Sequence, residues 1–520
     1  GCGLRPRDEP LAFTGWAWMT GCTWIGLVSF GWLIGGGSVW SLGPATWTAL
    51  SLLPAAVCAV PLARRGARGR AANAMSAASE SAGSVSATLV SAASAPVSAA
   101  ERTTACAATR RDASPRWERV LFAACLAFAL VSVADRIVLA GTRVVASGDE
   151  GSIWTAKARA LWTAGGLDAR FAELAHREFG IWHQDYPPLD PLLQVYAAQL
   201  AGRPLDFENR LPVLLFLPAL LLLLAGALRR CARPALAGLL LVAFATCTMT
   251  VDVAQQAYAD ALVAVGMLAL LESVRRWRRE GTTAWLALAS VAATALVFSK
   301  NESRMLLLAA ALGGAAAWWA HRRAAGTREQ VEGSVRVDLR VERRPHGAAP
   351  VRLRAADAVW LLPPLAVLVA ITAVNARFGF ANDLLASSDG RGPLERLAGQ
   401  GAGRVAEVLR LCAGALLAAC RDSSLLVAGC ALLVLLFPRH LLAPRAPGEV
   451  RPDRSAWSLT LLLAACGYLL VFLGTPLDVA WHVRWSVPRL CFQLLPVAAV
   501  CLAAGLTWLL RRAGSAGAQV

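Results

Sequence analysis

The chain has 520 residues, of which 57% are hydrophobic and 16% are charged, and its mean hydropathy is +0.51. Soluble domains carry about 25% charged residues, so this composition excludes an ordinary soluble enzyme, a coiled coil and a disordered chain. It predicts an all-α polytopic membrane protein. The net charge of +17, in so apolar a chain, is typical of arginine-rich cytoplasmic loops and not of nucleic-acid binding.

Twelve apolar stretches along the chain are candidate membrane spans. In chain order they are Leu11–Ile34, Leu42–Leu62, Trp117–Ala140, Leu211–Leu228, Ala235–Val251, Ala257–Val274, Thr283–Ser299, Met305–Ala320, Ala355–Val374, Ser423–Phe437, Trp457–Leu473 and Leu490–Leu510. Arginine clusters follow only the even-numbered spans, for example Arg275, Arg276, Arg278 and Arg279 after the sixth. One orientation, with both termini in the cytoplasm of a plasma-membrane protein, places every cluster inside.

Three regions follow from this pattern. Residues 1–62 form a two-span hairpin, and residues 63–116 form a linker whose Ala- and Ser-rich middle predicts a disordered cytoplasmic tether. Residues 117–520 form the membrane body. The 13 cysteines show no CxxC spacing, so neither a zinc site nor a disulfide framework is indicated.

The first large outer loop, residues 141–210, contains a stretch with helical periodicity at 152–163. Ile153, Trp154 and Lys157 share one face of this helix, and Arg159 lies on the opposite face. A lysine on an apolar face needs a partner or a negatively charged ligand. We expect an amphipathic helix at the membrane surface with Trp154 at headgroup level. Residues 404–420 are a second candidate for an amphipathic surface helix.

Polar and charged residues concentrate in the predicted outer loops and turns. Such groups are costly near a membrane and are therefore candidates for function. Each also has a structural explanation, as a solvated loop pair, a proline-fixed turn or an interfacial ion pair. Besides Lys157, one of the two lysines in the chain, they are Asp149, Glu150, His183, Asp185, Tyr186, Asp260, Lys300, Asn301, Glu302, Arg484 and Arg489. Together they predict one extracytoplasmic polar cleft.

Several of these stretches resemble motifs of the GT-C superfamily of polytopic glycosyltransferases, in particular relatives of the dolichyl-phosphate-mannose–protein mannosyltransferases. The similar stretches are DEGSIWTAKA (149–158), DYPPLDPLLQ (185–194), YADAL (258–262), KNE (300–302) and RLCFQ (489–493). The resemblance covers roughly residues 117–510. It implies a GT-C-like body and a polyprenyl-phosphate sugar donor used on the extracytoplasmic side. It also implies a catalytic role for Asp149, with Glu150 as its neighbour.

The chemistry of such a transfer suits the residue types. Asp149 is a candidate general base for an acceptor hydroxyl, with burial expected to raise its base strength, and a single displacement would invert the anomeric carbon. The leaving phosphate needs positive charge. Candidate phosphate ligands are Lys157, Lys300, Arg484 and Arg489, and candidate substrate contacts are Trp154, His183, Asp185, Tyr186, Asp260, Asn301 and Glu302.

The acceptor can be a lipid, a glycan or a protein. Two adjacent carboxylates could hold a divalent cation, although no convincing His and Asp ligand set accompanies them. Two other functions stay open. A secondary transporter or lipid-linked glycan flippase would place its polar groups near the membrane midplane and show internal repeats, and none is detected. A non-catalytic membrane scaffold would not need the outer polar cluster.

Overall fold

A computed structural model describes residues 10–41, 46, 114–141, 145, 148–203, 208–316, 319, 354–382, 393–399, 401–423, 429 and 455–517. Within these ranges every regular element is helical. The principal helices are α1 (Pro10–Ile34), α2 (Arg116–Gly141), α3 (Ala156–Ala164), α4 (Leu189–Ala201), α5 (Phe216–Arg229), α6 (Pro234–Thr246), α7 (Thr248–Ala254), α8 (Asp260–Glu280), α9 (Thr283–Ser299), α10 (302–316), α11 (Leu362–Phe378), α12 (Ala402–Ser423), α13 (Ser455–Gly474) and α14 (Val479–Gly517).

Six helical stretches in the described residues are long and apolar enough to cross a membrane. A seventh is added if α6 and α7, which meet at a bend of 60°, form one broken span. The six are Leu11–Ile34, Arg116–Gly141, Leu211–Arg229, Ala355–Phe378, Ala456–Gly474 and Val479–Leu510. Several long apolar helices thus support a membrane protein, whereas the predicted number of twelve spans stays a prediction.

The remaining predicted spans agree with the described helices to different degrees. Helix α9 is apolar but has only 17 residues, and α8 ends in a run of arginines. The predicted span at 42–62, apart from residue 46, and that at 423–437, apart from residues 423 and 429, lie outside the described residues. The linker does so too, apart from residues 114–116. The predicted span at 490–510 is the second part of α14, which begins at Val479 and continues through two prolines.

Helix α1 packs directly against the body. Gly15 lets α1 approach α5 so closely that a Cβ atom there would lie 2.6 Å from the carbonyl oxygen of Ala219. The Trp16 ring lies 6.4 Å from the ring of Trp285, at the start of α9. Beyond the C-terminal end of α1, Val39 donates a backbone hydrogen bond of 2.7 Å to Gly165, after α3. The first helix therefore shares its core with the body and touches the first outer loop.

The ends of the helices form two groups, one at each end of the body. At the loop end, defined by residues 148–203 and the helix ends that contact them, Arg210 bonds the last turn of α2 and Asn375 of α11 bonds the backbone of Asp185. At the arginine end, Arg230 after α5 pairs with Glu272 near the end of α8. In the described residues, the polar site residues thus lie at one end of the body, and the arginine runs after α5 and at the end of α8 lie at the other.

The predicted helix at 152–163 is a π-helical turn, Glu150–Thr155, followed by α3. Ile153, Trp154 and Lys157 are all buried, and Arg159 is exposed as expected. Trp154 has no exposed surface, because it packs inside the protein with its ring 5.5 Å from that of Tyr186. This corrects the expectation that Trp154 lies at headgroup level.

Candidate functional site

The structure brings four predicted residues into one ion cluster at the loop end: Asp149, Asp260, Lys300 and Arg489. Arg489 donates a hydrogen bond to Asp149 through Nη1 and one of 3.0 Å to Asp260 through Nε. Lys300 donates to the other oxygen of Asp260 at 3.3 Å, and Gln493 donates to that same oxygen. Two acids and two bases from four distant stretches therefore share one hydrogen-bonded network.

Local structure explains why these side chains converge. Asp149 precedes the π-helical turn, and Gly148 before it has φ +76°, a left-handed conformation that glycine adopts without strain. Asp260 opens α8, where a carboxylate is stabilised by the helix dipole, and Lys300 follows the last residue of α9. Arg489 lies over the ring of Tyr258 at 4.5 Å, which fixes its guanidinium beside both carboxylates.

The charges of the ion cluster balance, but its two carboxylates differ in access. Asp260 is completely buried, whereas the side chain of Asp149 is 30% exposed. Burial alone would raise the pKa of Asp149, but the charges of Arg489 and Lys300 outweigh burial and hold that pKa below its ordinary value. The expectation that burial strengthens Asp149 as a base is therefore wrong for this arrangement.

Glu150 points away from the ion cluster. Its Oε1 atom accepts hydrogen bonds of 2.9 Å from Arg210 and from the backbone N–H of Ala257, and the residue is buried. Arg210, itself 2% exposed, also donates to the carbonyl of Ala140. Glu150 thus joins the end of α2 to the turn before α8, and it is not placed to act beside Asp149.

An aromatic group lies next to the ion cluster. Tyr186 donates a 2.9 Å hydrogen bond to Glu302, and its ring stacks on that of His183 at 4.8 Å. Burial, reinforced by Glu302, raises the pKa of Tyr186 well above its ordinary value, so the phenol stays protonated. His183 has φ +51°, a strained conformation for a residue with a side chain. Lys300 lies 3.5 Å from Glu302 and so links the aromatic group to the ion cluster.

The buried Lys157 holds the same loop. Its ammonium group donates to the carbonyl oxygens of Gln184 and Tyr186, at 2.7 and 2.6 Å. Burial lowers the pKa of Lys157 to about 8, against the opposing charge of Asp185. A small apolar pocket adjoins Lys157, and its walls include Phe30, Leu161, Phe171, Ile371 and Phe380.

Asp185 is the centre of a second polar group, the Asp185 cluster, which also contains Asn301, Asn375 and Asn382. Asn301 and Asn382 both donate to the Oδ2 atom of Asp185, the latter at 2.7 Å. Asn375 donates to the backbone carbonyl of Asp185 at 2.9 Å. This cluster joins the loop around Asp185 to α10 and α11. It lies next to the ion cluster through Asn301 and Lys300, which are adjacent in the chain.

Arg484 is the predicted phosphate ligand that the structure leaves apart. It is exposed on α14 and forms no hydrogen bond or ion pair with the described residues. Five residues along a helix correspond to a rotation of about 140°, so Arg484 and Arg489 face different directions. For a cation, no group of three or more His, Cys, Asp or Glu side chains lies together in the described parts of the chain, which adds no support for a metal.

Sequence reasoning missed several residues that complete the site. Gln493 lies one helical turn after Arg489, and that spacing was a usable signal once α14 is taken to include both residues. Arg210, Asn375 and Asn382 come from distant loops and helices, and no local pattern marks them. Comparison with known proteins adds no further guide, because no family model, curated protein or solved structure matches the chain.

Proposed function

We propose that this chain is a membrane glycosyltransferase that moves a sugar from a polyprenyl-phosphate donor to an acceptor hydroxyl on the extracytoplasmic face of the plasma membrane. In this proposal the chain has about twelve spans, ten of them in a GT-C-like body, and the arginine end faces the cytoplasm. The observation that carries the proposal is the ion cluster. It joins a partly exposed carboxylate, Asp149, to a guanidinium and an ammonium group at one end of an apolar bundle.

Arg489 and Lys300 have the chemistry that a lipid phosphate requires. A guanidinium binds phosphate oxygens through two parallel N–H groups, and an ammonium group adds charge without fixed geometry. Charges held in place inside a protein stabilise a departing phosphate more strongly than they would in water.

The same contacts suggest how donor binding prepares the base. Without donor, Arg489 is bonded to Asp149 and lowers its pKa. A phosphate that takes over Arg489 removes this partner, so the pKa of Asp149 rises and the carboxylate becomes a stronger base. Asp149 then accepts the proton of the acceptor hydroxyl while the oxygen of that hydroxyl bonds to the anomeric carbon. The bond from that carbon to the phosphate oxygen breaks, its electron pair leaves with the lipid phosphate, and the anomeric configuration inverts.

Asp149→Asn is the direct test. We expect sugar transfer from a labelled polyprenyl-phosphate donor to be lost, with membrane insertion and thermal stability unchanged, since Asn is isosteric but cannot accept the proton. Asp252→Asn is the matched control, because Asp252 is exposed and lies outside the site. Near-normal transfer by Asp149→Asn would remove Asp149 from the mechanism.

A transporter or flippase is the second candidate, favoured by one observation. The 60° break between α6 and α7 is typical of helices that line transporter binding sites. Transport proteins place such sites near the midplane, whereas the ion cluster lies at the loop end. Purified protein in vesicles with labelled donor separates the two functions: glycosyl transfer without net movement of the lipid selects the enzyme, and movement without transfer selects the transporter.

A further inference from the structure

One helical turn beside the ion cluster carries several buried polar atoms that lack hydrogen-bond partners among the described residues. The hydroxyl of Ser303 is one of them, and the others, on three side chains, are Oδ1 of Asn301, Oε2 of Glu302, and Nε and Nη2 of Arg304. Buried polar atoms in folded proteins are nearly always hydrogen bonded, so a concentration of them on one turn calls for an explanation. Two of these atoms belong to a group that only donates, and two are acceptor oxygens.

The three side chains are directed toward the same short segment of the first outer loop. Asn301 donates through its amide nitrogen to Asp185, and Glu302 accepts from the hydroxyl of Tyr186 through its other oxygen. The guanidinium of Arg304 interacts electrostatically with Asp185. The three side chains therefore converge on residues 185 and 186, whereas Lys300, the residue before this turn, points into the ion cluster.

We propose that Asn301, Glu302 and Arg304, together with Asp185, form the subsite for the sugar ring of the donor, and that this subsite selects a neutral, hydroxyl-rich sugar. The inference rests on the proposed function and deepens it by naming the sugar class. A sugar hydroxyl both donates and accepts, so one ring can satisfy the donors of Arg304 and the oxygens of Asn301 and Glu302 together. The neighbouring ion cluster then holds the phosphate.

The charge of the subsite supports a neutral sugar. Asp185 and Glu302 carry two negative charges, and the cations near them are already engaged. Arg304 and Lys157 interact with Asp185, and Lys300 lies 3.5 Å from Glu302 and 3.3 Å from Asp260. A carboxylate on the sugar, as in a uronic acid, would be brought close to two carboxylates in a buried site, where like charges repel strongly. A neutral pentose or hexose meets no such cost and gains hydrogen bonds to charged partners, which are the stronger kind.

The test measures affinities of the purified full-length protein for short-chain polyprenyl phosphate, for its glucose, mannose and arabinose esters, and for its glucuronic acid ester. We expect at least one neutral ester to bind about tenfold or more tightly than the sugar-free phosphate, and the glucuronic acid ester to bind no more tightly than it. Arg304→Gln should abolish the gain from the sugar while leaving affinity for the sugar-free phosphate unchanged. Arg177→Gln, which changes an exposed arginine of the first outer loop, is the control.

The possible outcomes separate this inference from the proposed function. If the wild-type protein binds the sugar-free phosphate and the neutral esters equally well, the subsite is refuted although phosphate binding stands. Preference for the glucuronic acid ester would refute the neutral class. Equal weakening of all ligands by Arg304→Gln would assign Arg304 to the phosphate or to folding. If the wild-type protein binds none of the lipids, the proposed function itself fails. The wild-type panel decides the question even if a variant does not fold.

Discussion

Both ends of the helical body bury carboxylates against arginines, but in different proportions. At the arginine end, the fully buried Glu272 accepts from Arg275 and Arg276 of its own helix at 2.6–3.1 Å and pairs with Arg230 at 2.8 Å. One carboxylate there meets three guanidinium groups, so both of its oxygens are occupied. At the loop end, two carboxylates share one guanidinium and one ammonium group, and Asp149 is partly exposed.

This difference separates a structural contact from a reactive one. A carboxylate saturated by three arginines in a closed site can connect helix ends, but it has no access to a ligand. A partly exposed carboxylate that competes with a second one for Arg489 can exchange its partner for a phosphate. We therefore expect substitutions at the loop end to change transfer, and substitutions at the arginine end to change stability.

The largest effect is expected for Arg489→Gln. The variant loses the guanidinium that contacts Asp149 and Asp260 and that would neutralise the leaving phosphate, so transfer should fall by about a thousandfold or more. Since Arg489 lowers the pKa of Asp149, the variant should also raise that pKa. The residual transfer should then decline with falling pH at a higher pH than in the wild-type protein. Initial rates measured across pH test both statements.

The control for Arg489→Gln is Arg484→Gln on the same helix, because Arg484 is exposed and lies apart from the ion cluster. If Arg484→Gln lowers transfer as strongly as Arg489→Gln, the ion cluster does not by itself bind the phosphate. The assignment of function to contacts at this cluster would then be contradicted.

Glu272→Gln should have the opposite effect to Arg489→Gln: stability falls and transfer is unchanged. Removing one partner of a buried ion pair typically costs about 3–5 kcal/mol, here because three guanidinium groups lose their common carboxylate. We expect a clear loss of thermal stability with unchanged transfer per folded molecule. Glu280→Gln, in the last turn of the same helix, is a milder comparison, since among the described residues Glu280 accepts a single hydrogen bond, from Trp285. A loss of transfer without a loss of stability in Glu272→Gln would reverse the roles of the two ends.

Sequence reasoning went furthest where the signal was local. Long apolar runs predicted α2 and α13, and the arginine runs after α5 and in α8 predicted that these two helix ends lie together. The convergence of Asp149, Asp260 and Lys300 followed from their common placement in turns on one side. These inferences need only hydropathy and the order of the chain.

Contacts between distant segments were beyond that reasoning. Glu150 is next to Asp149 in the chain, but the π-helical turn directs it to Arg210, sixty residues later. The predicted last span began at Leu490, so the sequence analysis did not place Arg484 and Arg489 on one helix, where they face different directions. Pairings of this kind depend on how helices pack, which periodicity along one segment does not contain.

The smallest effect is expected for substitutions in α1. They test whether the two ends of the body depend on the packing of this helix. Gly15→Ala would place a Cβ atom 2.6 Å from the backbone oxygen of Ala219, so α1 or α5 must shift, and overpacking of this kind costs about 1–3 kcal/mol. Gly21→Ala is a matched control in the same helix, because no atom lies within 4 Å of its added Cβ. That variant should be neutral or slightly more stable, since alanine favours helix.

Thermal unfolding of the two variants gives the comparison. Equal stability of both would mean that α1 is an accessory helix, whereas a selective loss in Gly15→Ala makes it part of the core that supports the loop end.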